Sequence, residues 1–143
     1  MKKIVFIPGV WDLLHLGHVK ILHEARTLGG ILIVGVQSDE VVEIQKGERP
    51  IMDLEERRQM LWVLEDVGLV HILHTDRFVE ALKETGANVL AVGEDWGTEI
   101  RHQEAEAYIR RIGGRFIQLP YTKGISTTII KDRIRRRLKC QDK

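Results

Sequence analysis

Two histidines, His15 and His18, stand three residues apart around Gly17 in the stretch Gly9-Val10-Trp11-Asp12-Leu13-Leu14-His15-Leu16-Gly17-His18. The stretch follows a short apolar run and leads into a helical pattern, so it falls at a strand-to-helix turn. Free backbone N–H groups and the positive end of the helix dipole make such a turn an anion site. Two imidazole N–H donors beside those groups suit phosphate oxygens, and Gly17 keeps the backbone open to close approach. A loop histidine followed by an exposed first-turn histidine is the plainer reading; the position straight after the first strand argues against it. Zinc is a third reading, weakened because no third ligand has suitable spacing and because His71 and His74, three apart on a strand, face opposite sides. Asp12 suits either a magnesium-bound water or a turn cap.

A second turn of this kind lies near the other end. Gly124-Ile125-Ser126-Thr127-Thr128 supplies a flexible glycine, then hydroxyls and free N–H groups at a helix start, the composition of a phosphate cradle. Ser126 or Thr127 as an ordinary N-cap is the commoner explanation of such a run taken alone. Two phosphate-type turns at the ends of two strands are less easily set aside than one. Two further polar loops, Lys46-Gly47-Glu48-Arg49-Pro50 and Gly93-Glu94-Asp95-Trp96-Gly97-Thr98, complete the candidates.

The elements that must position these groups follow from hydrophobic period. Lys3 to Pro8 is a continuous apolar run, as a strand buried on both faces requires. From Gly17 to the Gly29-Gly30 stop, Val19, Leu22, Ala25 and Leu28 recur at helical spacing. Strands are expected at Ile31 to Val36, Leu69 to Leu73, Asn88 to Val92 and Arg115 to Leu119. Helices are expected at Asp39 to Gln45, from the N-cap Asp53 to about Glu65 with Leu54, Met60, Leu61 and Leu64 inside, at Arg77 to Thr85, Ile100 to Ile112, and from Ser126 or Thr127 to about Leu138. Strands and helices alternate with connections too long for hairpins and no linker between them. The reading is one α/β domain over residues 1–143, a doubly wound, mainly parallel five-stranded sheet. Ligands bind such sheets beyond the carboxyl ends of the strands. All four polar stretches fall there.

Composition bounds the partners. At 143 residues the chain can bury roughly two-thirds of its unfolded surface. Its 22 basic and 21 acidic residues nearly cancel, so no global field recruits nucleic acid. The basic run Lys131, Arg133, Arg135, Arg136, Arg137, Lys139 alternates with Ile130, Ile134 and Leu138 and reads as the solvated face of the last helix, without aromatics to stack bases. The single cysteine, Cys140, excludes an intramolecular disulfide and fits a cytoplasmic home. The apolar run Ile4 to Ile7 is too short for a signal-peptide core or a membrane span.

The strand, the glycine-x-aromatic-aspartate run before His15-Leu16-Gly17-His18, and Ile125-Ser126-Thr127-Thr128 at a helix start together resemble the cytidylyltransferase-type nucleotidyltransferase family over nearly the whole chain. Within it, Gly93-Glu94-Asp95-Trp96 and Thr122-Lys123-Gly124-Ile125-Ser126-Thr127-Thr128 are most similar to glycerol-3-phosphate cytidylyltransferases. Lys46-Gly47-Glu48-Arg49-Pro50 resembles the loop of heptose-type sugar-phosphate adenylyltransferases at least as well, and flavin-nucleotide adenylyltransferases begin in the same way. Two positions depart from the family: Tyr121 replaces an arginine that contacts nucleotide phosphate, and Val10 replaces a threonine.

The resemblance implies a Rossmann-like fold and attack of a phosphomonoester on the α-phosphorus of a nucleoside triphosphate, with pyrophosphate leaving and Mg2+ bridging phosphate oxygens. CTP with glycerol 3-phosphate is the first expectation; ATP with a sugar phosphate of the heptose 1-phosphate type, or with FMN, is the alternative. A nucleotide-binding module without turnover is a third possibility, to which the Tyr121 and Val10 departures would belong. By the resemblance His15, His18 and Lys46 are catalytic. Gly9, Val10, Trp11, Gly17, Gly93, Glu94, Trp96, Thr122, Gly124, Ile125, Ser126 and Thr127 bind nucleotide. Asp12, Arg57 and Asp95 attend the acceptor, Asp12 also holding metal through water. Arg57 otherwise reads as a surface residue pairing with Asp53. A homodimer is expected, with the first or third helix as its apolar face.

Overall fold

The computed structural model describes residues 2–142. Five strands run β1 (Ile4–Gly9), β2 (Ile31–Gln37), β3 (Leu69–Leu73), β4 (Val89–Val92) and β5 (Arg115–Gln118). Six helices separate or follow them: α1 (Leu16–Arg26), α2 (Asp39–Lys46), α3 (Leu54–Trp62), α4 (Phe78–Thr85), α5 (Ile100–Arg111) and α6 (Thr127–Gln141). All strand pairs are parallel, in the order β3-β2-β1-β4-β5. The chain therefore builds outward from β1 through β2 to β3, then crosses back to place β4 on the other side of β1. That reversal opens a crevice at the carboxyl ends of β1 and β4, where such sheets bind ligands.

Alternation along the strands divides the core between two faces. Val5 and Ile7 of β1, with Val34, Val36 and Ala91, pack against Ile21, Leu22 and Ala25 of α1 and Leu61 of α3. Phe6, Ile33, Leu90 and Val92 point the other way, toward Phe78, Ala81 and Leu82 of α4 and Ala105 and Ile109 of α5. Both faces are covered, which explains why the strands read as unbroken apolar runs.

Three helices differ from the sequence expectation. In α1 the buried side is Ile21, Leu22 and Ala25, while Val19 is largely exposed. The third helix ends at Trp62 rather than near Glu65, because the chain turns through Leu64 N–H to Leu61 O and Val67 N–H to Leu64 O, carrying Leu64 and Val67 against the core before β3. Its inward face holds Arg57 and Leu61, and Met60, expected inside, is 42% exposed. The last helix runs on to Gln141, and none of its residues is buried. No helix among the described residues is long and apolar enough to cross a membrane.

Candidate active site

At the end of β1 the chain leaves the sheet through two residues with positive φ, Trp11 (61°) and Leu13 (50°), an arrangement uncommon for large side chains. Burial holds the turn in place. The Trp11 indole is 5% exposed and its Nε1–H donates to Gly35 O on β2 at 3.0 Å. Between the two, the Asp12 carboxylate accepts from the backbone N–H groups of Ile51 (2.8 Å) and Met52 (2.9 Å), fastening the loop that precedes α3 to the loop that precedes α1. Trp11 and Asp12 both border the cleft, but their polar atoms are engaged in holding it together. The Asp12 oxygens thus serve the loop, where the sequence suggested acceptor or metal.

His15 is the N-cap of α1, and it caps in an unusual reciprocal way. Its Nδ1 accepts from His18 N–H at 3.4 Å, while His18 Nδ1 accepts from His15 N–H at 3.3 Å. The rings stack with centroids 3.7 Å apart, and His18 meets Trp11 edge to face at 5.3 Å. Because each Nδ1 is an acceptor, each neutral ring carries its proton on Nε2. Burial lowers both pKa values; that of His18 falls to about 4, the nearby His15 adding to the fall and Asp12 opposing it. Both residues line the cleft, and each neutral ring keeps its proton on Nε2. A Cβ on Gly17 would lie 2.9 Å from His15 Cε1 and 3.2 Å from Ile125 Cγ2, so the glycine, which lines the cleft, also makes room for the imidazole and the second turn.

The second turn reaches the first through Thr127, whose hydroxyl donates to Asp12 O at 3.1 Å. Ser126 caps α6, its Oγ accepting from Ile129 N–H at 3.1 Å. These side chains build the turn, and helix geometry leaves the other first-turn N–H groups of α6 without a partner inside the helix. Across the cleft, Lys46 ends α2 on an exposed stalk, and Lys131 of α6 approaches Glu48 of the same loop at 3.9 Å. Arg49 is occupied by Glu43, Glu40 and Asp39.

At the end of β4, Tyr121 covers Gly93 so closely that any side chain on Gly93 would collide with the phenol ring. Its hydroxyl donates to the Asp95 carboxylate, and its N–H donates to Glu94 Oε1 at 3.0 Å. Burial, followed by the bond to Asp95, raises the phenol pKa and keeps it protonated. Tyr121 thus ties down both carboxylates of the Gly93 to Thr98 loop. Trp96 stacks on His102 with centroids 4.1 Å apart and tilts against Phe78.

All four polar stretches border one cleft of about 460 Å³, a size suited to a small-molecule ligand. Gly9, Val10, Trp11, Asp12, His15, Gly17, His18, Lys46, Gly93, Asp95, Trp96, Thr122, Ile125, Ser126 and Thr127 line it; Glu94, Gly124 and Arg57 do not. Arg57 is the clearest correction. Its side chain is fully buried and donates to Met52 O, Val10 O, Gln37 O and the Asp39 carboxylate at 2.7–3.0 Å, so it is neither a surface partner of Asp53 nor directed at an acceptor. Gln37, Gln45, Phe78 and His102, which no motif singled out, also line the cleft, as does Lys131, read from the sequence as part of a solvated helix face. For Gln37 a signal existed, since it is the last residue of β2, where the strand-end rule expects ligand contacts.

A parallel five-stranded sheet with two phosphate-type turns facing each other at its switch point defines a nucleotide-binding α/β domain. The chain matches the cytidylyltransferase-like family model over residues 6–133 and belongs to that family, in the nucleotidyltransferase class that the two motifs suggest. It is 39% identical over 136 residues to the bifunctional protein HldE of Pelobacter propionicus, and 40% identical over 141 residues to HldE of Geobacter metallireducens. These matches cover 93% and 94% of this chain but 27% of each HldE, so the chain spans about a quarter of those relatives. Among solved structures it is similar to a lipopolysaccharide core biosynthesis protein from Thermoplasma volcanium, with a TM-score of 0.75 and 25% identity, covering 86% of this chain and all of that one. Pantoate-beta-alanine ligase from Francisella tularensis shares the fold at TM-score 0.54 and 16% identity, over 91% of this chain and 68% of its own.

Proposed function

We propose that the chain transfers an adenylyl group from ATP to a sugar phosphate of the heptose 1-phosphate type. A phosphate oxygen of the acceptor forms the new bond to the α-phosphorus, the bond to the bridging oxygen breaks, and pyrophosphate leaves with that electron pair. The acceptor is largely dianionic at neutral pH, its second pKa being about 6, so no general base is required. What is required is alignment, and donors where negative charge develops.

The observation that carries this reading is the reciprocal capping of His15 and His18, which leaves each ring a neutral Nε2–H in a cleft that the start of α6 also lines. On this reading the histidines serve the α- and β-phosphates, Lys46 the α-phosphate from the facing loop, and the N-terminus of α6 the β- and γ-phosphates. With Tyr121 in the place of an arginine, positive charge on the triphosphate falls to Lys46 and Lys131. Magnesium supplies charge neutralisation on the triphosphate. Asp12 is engaged by two N–H groups and Asp95 by Tyr121, which suits an ion carried by phosphate oxygens and water rather than by a protein cage.

ATP and a sugar phosphate replace CTP and glycerol 3-phosphate as the preferred pair because the HldE relatives and the lipopolysaccharide core protein agree with the Lys46 to Pro50 resemblance. The test is pyrophosphate release with magnesium, crossing ATP and CTP with a sugar 1-phosphate and glycerol 3-phosphate. Release from ATP with the sugar phosphate is expected. Release only from CTP with glycerol 3-phosphate would reverse the choice, and tight nucleotide binding without release in any pairing would favour a non-catalytic module. The proposal includes a cytoplasmic setting, consistent with the free, exposed Cys140, and a homodimer, for which Met60, Trp62 and Val63 of the α3 region offer exposed apolar surface.

A further inference from the structure

On the β2 side of the cleft, two amide side chains have polar atoms removed from solvent and left without a protein partner. Gln37, the last residue of β2, is only 6% exposed, and its Oε1 accepts no hydrogen bond; Gln45 of α2 has a buried Nε2 that donates none. Both residues line the cleft, next to Val42 and Lys46 of the same α2 face. A buried amide atom without a partner loses its hydrogen bonds to water and regains none, so two in one wall are costly unless a ligand satisfies them.

Their placement is rigid. Gln37 O accepts from Arg57 Nη1 at 2.7 Å, and the following N–H, of Ser38, donates to Leu73 O at 2.9 Å. Arg57 also holds Val10 O and the Asp39 carboxylate, so one buried guanidinium ties the end of β2 to the start of α2 and to the histidine turn. Val42 is buried and Gln45 lies one turn further along α2, ahead of Lys46.

The chemistry of the pair selects its ligand. Neutral amides add nothing to the charge needed at a triphosphate, but a carbonyl acceptor and an amide donor together match hydroxyl groups, each of which both donates and accepts. The pair stands at the end of β2 and on the following α2, while the Gly93 to Trp96 loop follows β4, on the opposite side of β1. A nucleoside near Trp96 would leave the β2 wall to the other substrate.

We infer that Gln37 and Gln45 form the hydroxyl-reading wall of the acceptor subsite and set the preference for a polyhydroxylated sugar phosphate; the inference rests on the sugar-phosphate reading above.

The test compares wild type with Gln37→Met and Gln45→Met, which keep length and apolar bulk while removing the amides. Steady-state pyrophosphate release is measured with ATP and a hexose 1-phosphate, and with singly deoxygenated analogues of that sugar. Wild type is expected to discriminate against at least one analogue. Each variant should lose about 10- to 100-fold in kcat/KM for the full sugar, keep its KM for ATP within about twofold, and lose the discrimination at one hydroxyl. Loss of discrimination at one position is a readout that a merely loosened cleft would not give. Equal sugar kinetics in wild type and variants would overturn the inference and leave the sugar-phosphate reading intact. A raised KM for ATP with unchanged sugar KM would overturn it too, by assigning the amides to the base. Failure of wild type itself with every sugar phosphate would instead overturn the reading beneath, and the inference with it. Should Gln37→Met fail to fold, Gln45→Met, at a less buried helical site, decides the question alone.

Discussion

His15 has two separable tasks, capping α1 through Nδ1 and offering a donor through Nε2. His15→Ala should lower turnover by about 100-fold or more and also cost about 1 kcal/mol of stability through the lost cap. His15→Asn, which caps as well as any residue, should keep the stability and still lose the turnover; thermal melts beside initial rates check the split. Wild-type rates in both variants would return the residue to the plain cap reading. Lys46, exposed and unpaired among the described residues, should behave differently: Lys46→Ala is expected to damage turnover with no change in melting temperature. His18 also makes stability depend on pH. Its folded pKa, about 4, lies below the ordinary 6.5, so the unfolded chain binds more protons between those values. Its contribution is present above pH 6.5 and is lost as pH falls toward 4. Melting temperature should drop across that window, and His18→Gln should flatten the drop.

Arg57 shows how elements are joined beneath the cleft. Four of its donor contacts reach the β1 loop, the end of β2, the start of α2 and the loop before α3. Arg57→Met should cost about 3–5 kcal/mol, because it leaves the Asp39 carboxylate and three carbonyls without their partner. Urea denaturation with an unchanged m-value would measure it. Arg57→Lys should rescue little, since an ammonium cannot reproduce a planar fork. A variant with full stability and a raised acceptor KM would restore the expectation that Arg57 meets substrate. Helix α6 is the opposite case: it buries no residue and is joined near its start by Thr127 to Asp12 and by Lys131 to Glu48.

For the whole molecule, the neutral state of both histidines makes a prediction about activity. Because their pKa values are lowered, kcat/KM near neutrality should follow the second ionisation of the acceptor phosphate, rising through about pH 6, and not an imidazole. A methyl-phosphonate acceptor analogue, whose second pKa is higher, should move the limb upward; a limb that stays in place would assign it to the enzyme. Light scattering should find two chains per particle, and Trp62→Glu, at a residue 56% exposed, should reduce it to one.

The strands, the parallel topology and the two strand-to-helix turns that meet at the cleft were legible in the sequence because each depends on local signals: apolar runs, glycine stops, caps, and the position of a motif directly after a strand. The HLGH and ISTT runs also carried the family. Tertiary structure alone decided what those residues do with their polar atoms. Asp12, Trp11 and Thr127 bond to backbone groups that a linear reading cannot pair, that of Thr127 being more than a hundred residues away. Arg57 looked like a surface charge because three of its four partners are carbonyls, which every sequence contains and none displays. Gln37 and Gln45 drew no notice for the converse reason: an amide becomes informative only once it is buried without a partner, and burial is a property of the folded chain.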